Sequence, residues 1–419
     1  MILVRNRRLR LNGNRLLLLT LLVFIFGCTP KVRVLRPGGN TQTKPETPTE
    51  KTTEETPAEE ASEAVDVNNI ALLLPFQLDK ANQHAPSSAD IRRSALALDF
   101  YQGFKMGLDA LAAKGVSFKV NVVDTRDDVA ENTRIARLDD VHNAALIVGP
   151  VYPKEIQVFG FNAELDKNTL QISPLAASMP TEFNLPNLVT LTAPIMAHVE
   201  ALADYIVRQY QPGDAVLIYQ TDDAASRQFL APLKSQIQQR NKQINLAEVN
   251  DQASLESSVH LNGKNLVVIG TTNEYLIAPI LANLRTLQND LSYDIRLFGH
   301  PNWTKLAFDD VDGLSGFRTT VTSSYYVDRN SAKIQQFNAQ YRQDFGIAPT
   351  EFAYKGFDAA YYFGGLLAKH GETYRQHVTD EVYQGLHNAF KFEYNPNWGY
   401  VNRHIWIMEY RGGDFHPVN

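Results

Sequence analysis

ALIVGPVYP, residues 145–153, is the stretch whose reading settles the fold, because its apolar run stops abruptly at Gly149-Pro150. A continuous apolar run of this length, bounded by Gly and Pro, reads as a strand buried on both faces, the pattern of a parallel sheet inside an α/β layer fold. In open α/β sheets ligands sit outside the carboxyl ends of strands, and a glycine there lets backbone approach a ligand closely. The stretch is therefore either the wall of a binding crevice or a plain strand-to-loop turn. The elements on either side of it bear on that choice.

Outward from this run the chain alternates strand and helix. IALLLPF (residues 70–76) reads as a buried strand. Residues 90–114 read as a helix with Leu96, Leu98, Phe100, Phe104, Leu108 and Leu111 at helical spacing, stopped by Gly115. A strand at 117–123, a helix at 129–141 and the strand at 145–148 follow. A further helix and a strand at 169–173 complete a doubly wound half, and residues 188–192 read as a short crossing strand. A second half repeats the scheme: helices at 198–210, 224–240 and 274–287 alternate with strands at 215–219, 244–249, 265–270 and 295–298. In the tail, a strand at 317–326 and helices at 331–345 and 352–369 precede a β-hairpin of 390–394 with 400–410 around Asn395-Pro396-Asn397-Trp398-Gly399. The fold class is α/β, with two doubly wound parallel-sheet lobes and a chain that passes between them more than once.

With 419 residues, 44% of them apolar, the chain can fill two such lobes. Its formal charge is -6, but Arg5, Arg7, Arg8, Arg10 and Arg15 precede residue 28 without any acid, which leaves residues 28–419 at -11. That acidity argues against nucleic acid as a partner. Residues 16–26, LLLLTLLVFIF, fall short of the roughly 20 apolar residues that span a bilayer and read as a signal-peptide core. Ile25-Phe26-Gly27-Cys28 resembles the lipobox of bacterial lipoproteins. The resemblance implies a signal peptide of residues 1–27 and a lipid on Cys28 that anchors the chain to a membrane. Cys28 is also the only cysteine, so no internal disulfide, cysteine nucleophile or multi-cysteine metal site is available. Residues 29–66, dominated by Thr, Pro, Glu and Lys, predict a disordered tether with a reach of roughly 35 Å.

Four stretches in this order resemble the type I periplasmic binding proteins, the family of the leucine/isoleucine/valine receptors, over residues 67–419. They are IALLLPF with the FYQGF helix (residues 100–104), VVDTRDD (122–128), LIVGP with QISPLAAS (171–178), and FDAAYY (357–362). The resemblance implies two lobes joined by about three crossings and closing on a small-molecule ligand. It assigns residues 67–192 and about 327–375 to lobe 1, and about 193–326 and 376–419 to lobe 2. The interlobe cleft would then be lined by Gln77, Thr125, Tyr152, Ser173, Ala176 and Ser178 from one side. Gln220, Thr221, Thr271, Thr272, Trp303 and Tyr325 would line it from the other. Val151, Tyr152 and Pro153 stand where amino-acid receptors place a Ser, and Ala177 where they place a Thr, so the cleft is shaped for a different ligand or for none. Trp303 and Tyr325 could stack on a ligand or pack between the lobes.

Other chemistry finds little support. The acids of residues 124–128 lack the alternating spacing and Gly of a calcium loop and read as a helix cap. The ten histidines are scattered, without a zinc-binding pair. There is no phosphate-binding Gly-x-x-x-x-Gly-Lys-Ser/Thr loop and no Gly-x-Ser-x-Gly elbow. The expectation is a non-catalytic protein without metal or cofactor. The resemblance implies either the receptor of an ABC permease or an outer-membrane lipoprotein that activates a penicillin-binding protein, a peptidoglycan synthase. The long tether, and Thr rather than Asp at residue 29, favour the outer membrane facing the periplasm.

Overall fold

The apolar runs fold as strands covered on both faces. In β2 (Asn68–Leu74), residues Ile70 to Leu74 are all fully buried, and in β4 (Leu146–Val148) every residue is. The computed structural model describes residues 33–35, 68–82, 84–308 and 311–418. The expected signal peptide, Cys28 and the tether lie outside the described residues, except that Arg33–Leu35 within the tether forms a short strand, β1.

The first sheet runs β3 (Phe118–Asp124), β2, β4, β5 (Leu170–Ser173), β6 (Leu188–Thr190), β15 (Gly399–Asn402) and β14 (Phe392–Asn395), all parallel except β14. The second runs β17 (Asp414–Pro417), β16 (Trp406–Arg411), β11 (Thr320–Ser323), β10 (Asp294–Gly299), β9 (Lys264–Ile269), β7 (Ala215–Tyr219) and β8 (Leu246–Val249). Both share one winding, with the second parallel strand outside the first and the rest added on the other side. The two doubly wound α/β lobes read from the sequence are present, each sheet carrying an antiparallel edge.

Two expectations are corrected. The helix expected at 129–141 breaks into Val129–Ile135 and Asp139–His142, because Leu138 between them is extended. The hairpin expected from 390–394 and 400–410 divides between sheets. β14 and β15 pair with each other, but β15 also joins β6 in parallel, and β16 joins β11 in the other lobe. The Asn402 amide, donating to the carbonyls of Leu191 and Ala389 at 2.9 and 3.0 Å, holds β15 in the first lobe. Arg403 then pairs with Glu393 and Glu200 as the chain turns away. The last crossing therefore falls at residues 403–405, later than the division expected near 376, and residues 392–402 belong to the first sheet.

The first lobe closes around two helices, Ser88–Ala112 and Glu351–His370, which touch backbone to backbone. A Cβ on Gly103 would lie 1.8 Å from the Ala353 carbonyl oxygen, and one on Gly356 2.1 Å from that of Phe100. On the second helix, Asp358 is fully buried, and its carboxylate accepts the backbone N–H groups of Leu386, His387 and Asn388 at 2.6 to 2.9 Å. That segment in turn bridges Tyr325 and Tyr326, so the carboxylate holds the first lobe against the chain where it leaves β11. We expect Gly356→Ala to lose about 3 kcal/mol of stability by overpacking. Gly365→Ala, whose Cβ would meet only Leu111 Cδ2 at 3.9 Å, should gain about 0.5 kcal/mol from helix propensity. Equilibrium urea unfolding of both variants checks the contrast.

Candidate functional site

The order of strands puts a switch point between β2 and β4 in one lobe and between β7 and β9 in the other, where α/β folds open a crevice. The turns at both points are occupied by their own lobe. Gly149 has φ 108°, and a Cβ there would lie 2.1 Å from the Leu73 carbonyl oxygen. The glycine serves close approach to β2, not to a ligand. Asp124 accepts the N–H groups of Gln77, Leu78 and Arg126 at 2.9 to 3.0 Å, and Asp128 accepts that of Glu131 at 2.7 Å. The acid cluster thus caps a turn and a helix.

The cavity between the lobes, about 470 Å³, lies nearer the hinge. The first lobe reaches it after β5 and β6 through Leu175, Ala177 and Thr192, and from the Glu351–His370 helix through Lys355. The second reaches it after β10 and β11, through His300, Asn302, Thr304, Lys305 and Ser324. Tyr325 is the one residue of the expected set on this lining.

The other expected residues are placed elsewhere. Thr125 and Ser173 are fully buried with hydroxyls that meet no partner, and Ala176 packs with Ile156, Phe183 and Leu188. Gln77 caps a short turn, accepting from Lys80 at 3.2 Å, and Tyr152 begins the helix Pro153–Asn162. Gln220 donates to Glu248 at 2.9 Å and Thr221 to Asp223 at 2.8 Å. Thr271 accepts from the Asn273 N–H at 3.2 Å, while Thr272 and Ser178 are half-buried off the cavity. Trp303 is fully buried and donates its indole N–H to the Thr271 carbonyl at 2.8 Å, so it packs within its own lobe.

The electrostatics of the lining run one way. Among the described residues it carries Lys305 and Lys355 and no Asp or Glu. His198 and His300 are buried and neutral, their pKa values lowered to about 3 and about 4, in each case mainly by burial. His198 Nδ1 lies 3.0 Å from Thr322 Oγ1, and the Asn302 N–H donates to His300 Nδ1 at 3.1 Å. Burial also holds the Lys355 ammonium below the usual lysine range, although it donates to Glu351 at 3.0 Å. Lys355 has a sequence signal that could have found it: a lone lysine between Phe352 and Ala359 on the apolar face of FAYKGFDAAYY. Lys305 carries no comparable signal.

Beside the first switch point, Glu155 is 2% exposed, and among the described residues its carboxyl oxygens have no closely aligned hydrogen-bond partner, with the Asn132 amide and the Tyr152 and Asp128 N–H groups only near it. Burial, reinforced by the charge of Asp127, pushes its pKa up to about 7.

A family model described as "Periplasmic binding protein" matches residues 92–414. No curated protein sequence matches the chain significantly. Among solved structures, the chain resembles a putative branched-chain amino acid ABC transporter protein from Rhodospirillum rubrum, with TM-score 0.60, 16% identity, and 84% of this chain and 100% of that chain covered. An ABC transporter substrate-binding protein from Desulfitobacterium hafniense, in complex with Leu, gives 0.51 at 15% identity with the same coverage. Full-length LpoA from Haemophilus influenzae gives 0.52 at 17% identity, with 84% of this chain and 59% of that chain covered. At these identities the likeness is one of fold.

Glu155 gives a signed pH dependence. Its folded pKa of about 7 stands above the ordinary glutamate value of 4.5, so its contribution is fully present below the lower value and is lost as pH rises through the upper one. Glu155→Gln should therefore raise the melting temperature above that of the wild type at about pH 8, by up to about 3 kcal/mol in stability. The difference should vanish near pH 4, which thermal melts across the range will read.

Proposed function

Because the chain belongs to the periplasmic binding protein family over residues 92–414, we propose that it is a non-catalytic, lipid-anchored binding protein whose two lobes close on a small polar solute. Family members of this kind reach their partners by hinge closure that reports occupancy, and an ABC permease is the partner assigned here. The observation that carries the reading is the interlobe cavity of about 470 Å³ whose lining, among the described residues, offers two lysines and no carboxylate. A cavity of this size suits a small metabolite. Its charge suits a solute with an anionic group and gives no acidic side chain to hold the amine of an amino acid. The reading thus favours a carboxylate or similar anion over a free amino acid. Aromatic and hydroxyl groups at Tyr325, Thr304 and Ser324 would orient it.

A second reading, an activator of a penicillin-binding protein at the outer membrane, is favoured by the sequence of residues 29–66. A tether of roughly 35 Å is more than an importer's receptor at the inner membrane requires. In this case the lobes would present a surface to a peptidoglycan synthase.

Thermal melts of refolded protein against carboxylates, amino acids and sugars test the first reading. Anionic solutes should raise the melting temperature by mass action, and Lys355→Met should weaken the best of them at least about tenfold. A panel in which nothing binds, or only neutral solutes do, would sink it. Crosslinking in cells separates the partners: recovery of a synthase without permease subunits moves the assignment to the second reading.

A further inference from the structure

A second cavity, of about 510 Å³, opens on the hinge side of Tyr325 and shares only Thr304, Lys305 and Tyr325 with the interlobe one. Its wall carries Lys305 from the second lobe, Arg329 from the crossing and Arg342 from the helix Ala332–Phe345. None of these three side chains donates a hydrogen bond to, or pairs with a carboxylate of, any described residue. The one acid on the wall, Glu351, is already paired with Lys355 at 3.0 Å. In a chain of net charge -6, three cations line one concavity without an ion-pair partner among the described residues, and Lys305 alone of them feels the Glu351 charge, so an anion placed there gains.

The inner wall supplies a second, independent feature. His387 is 2% exposed, with its ring stacked on Tyr325 at 4.5 Å and facing Tyr354 at 6.4 Å. Its Nδ1 lies 3.0 Å from Asn388 Oδ1, which places the ring proton there. Nε2 is left as a buried acceptor without a partner. The nearby Glu351 carboxylate, 3.9 Å away, is also an acceptor and cannot satisfy it. Burial keeps the ring neutral, with its pKa lowered to about 3, so Nε2 does not become a donor at neutral pH.

A rim of free cations and an unpartnered buried acceptor call for one ligand with both complements. We propose that the hinge cavity binds an oxyanion bearing an O–H donor: its charged oxygens meet Lys305, Arg329 and Arg342, and its hydroxyl donates to His387 Nε2. Hydrogen phosphate is the simplest such species, and phosphate esters and hydroxycarboxylates share the chemistry. Because Lys305 comes from one lobe and Arg342 from the other, the bound anion ties the lobes together. Lys305 also lines the interlobe cavity, so the two sites share that one cation, whereas Arg329, Arg342 and His387 belong to the hinge cavity alone.

Calorimetric titration of the intact chain at low salt with inorganic phosphate, glycerol 3-phosphate, citrate and sulfate tests this. Sulfate is fully ionised at neutral pH and lacks the donor. Binding of at least one of the first three, with sulfate at least about tenfold weaker, is the expected result. Arg329→Gln with Arg342→Gln, both at exposed positions, should weaken the bound anion at least about tenfold. Gln228→Ala, on the interlobe lining alone, should leave it unchanged. His387→Phe keeps the stack and should erase the discrimination against sulfate. The strongest of the three probes identifies the source as free phosphate, an ester or a hydroxyacid. The proposal is overturned if none binds at millimolar concentration, if sulfate binds as well as phosphate, or if the double arginine variant binds unchanged. Loss of anion binding in the Gln228→Ala variant would also overturn it, by moving the site to the interlobe cavity.

Discussion

Helices Ser88–Ala112 and Glu351–His370 approach until backbone meets backbone, at glycines where a Cβ would fall 1.8 and 2.1 Å from a carbonyl oxygen. That contact draws a late part of the chain back onto the first lobe after the second has been built. The consequences follow along one helix. Lys355 reaches the interlobe cavity, Asp358 clamps residues 386–388, and these hold Tyr325 and Tyr326 where the chain crosses. Both cavities are therefore positioned by a packing contact that belongs to neither.

The α/β architecture was legible because strands buried on both faces must be apolar nearly throughout, and 145–148, 215–219 and 266–269 are. Residues 399–402 were not legible in the same way. Their hairpin with 392–395 is a local signal, whereas their pairing with β6 is decided by partners some 210 positions earlier in the chain, as the Asn402–Leu191 bond shows. The helix at 129–141 misled for a related reason, since its apolar spacing continues through Leu138 although the backbone there does not.

The site was harder to read than the fold. Strand order locates the switch points, but not whether their turns face a ligand or their own lobe. At Gly149 and Asp124 the second holds, because a neighbouring carbonyl and three backbone N–H groups already fill the space. Tyr325 was expected at the cleft because it follows a strand, and it lines both cavities together with Thr304 and Lys305. The convergence of Lys305, Lys355, Arg329 and Arg342 has no sequence pattern, since the four lie on four separate segments. It emerges only when the crossings bring those segments together, in a chain that is otherwise acidic.

In the proposed function the two lobes close on a solute. The most direct measurement is the distance between spin labels at Phe161 in the first lobe and Tyr275 in the second, both exposed, with and without the solute that most raises the melting temperature. A shift of the distribution to one shorter, narrower population on binding is the predicted result. An unchanged distribution at saturating solute would contradict the account.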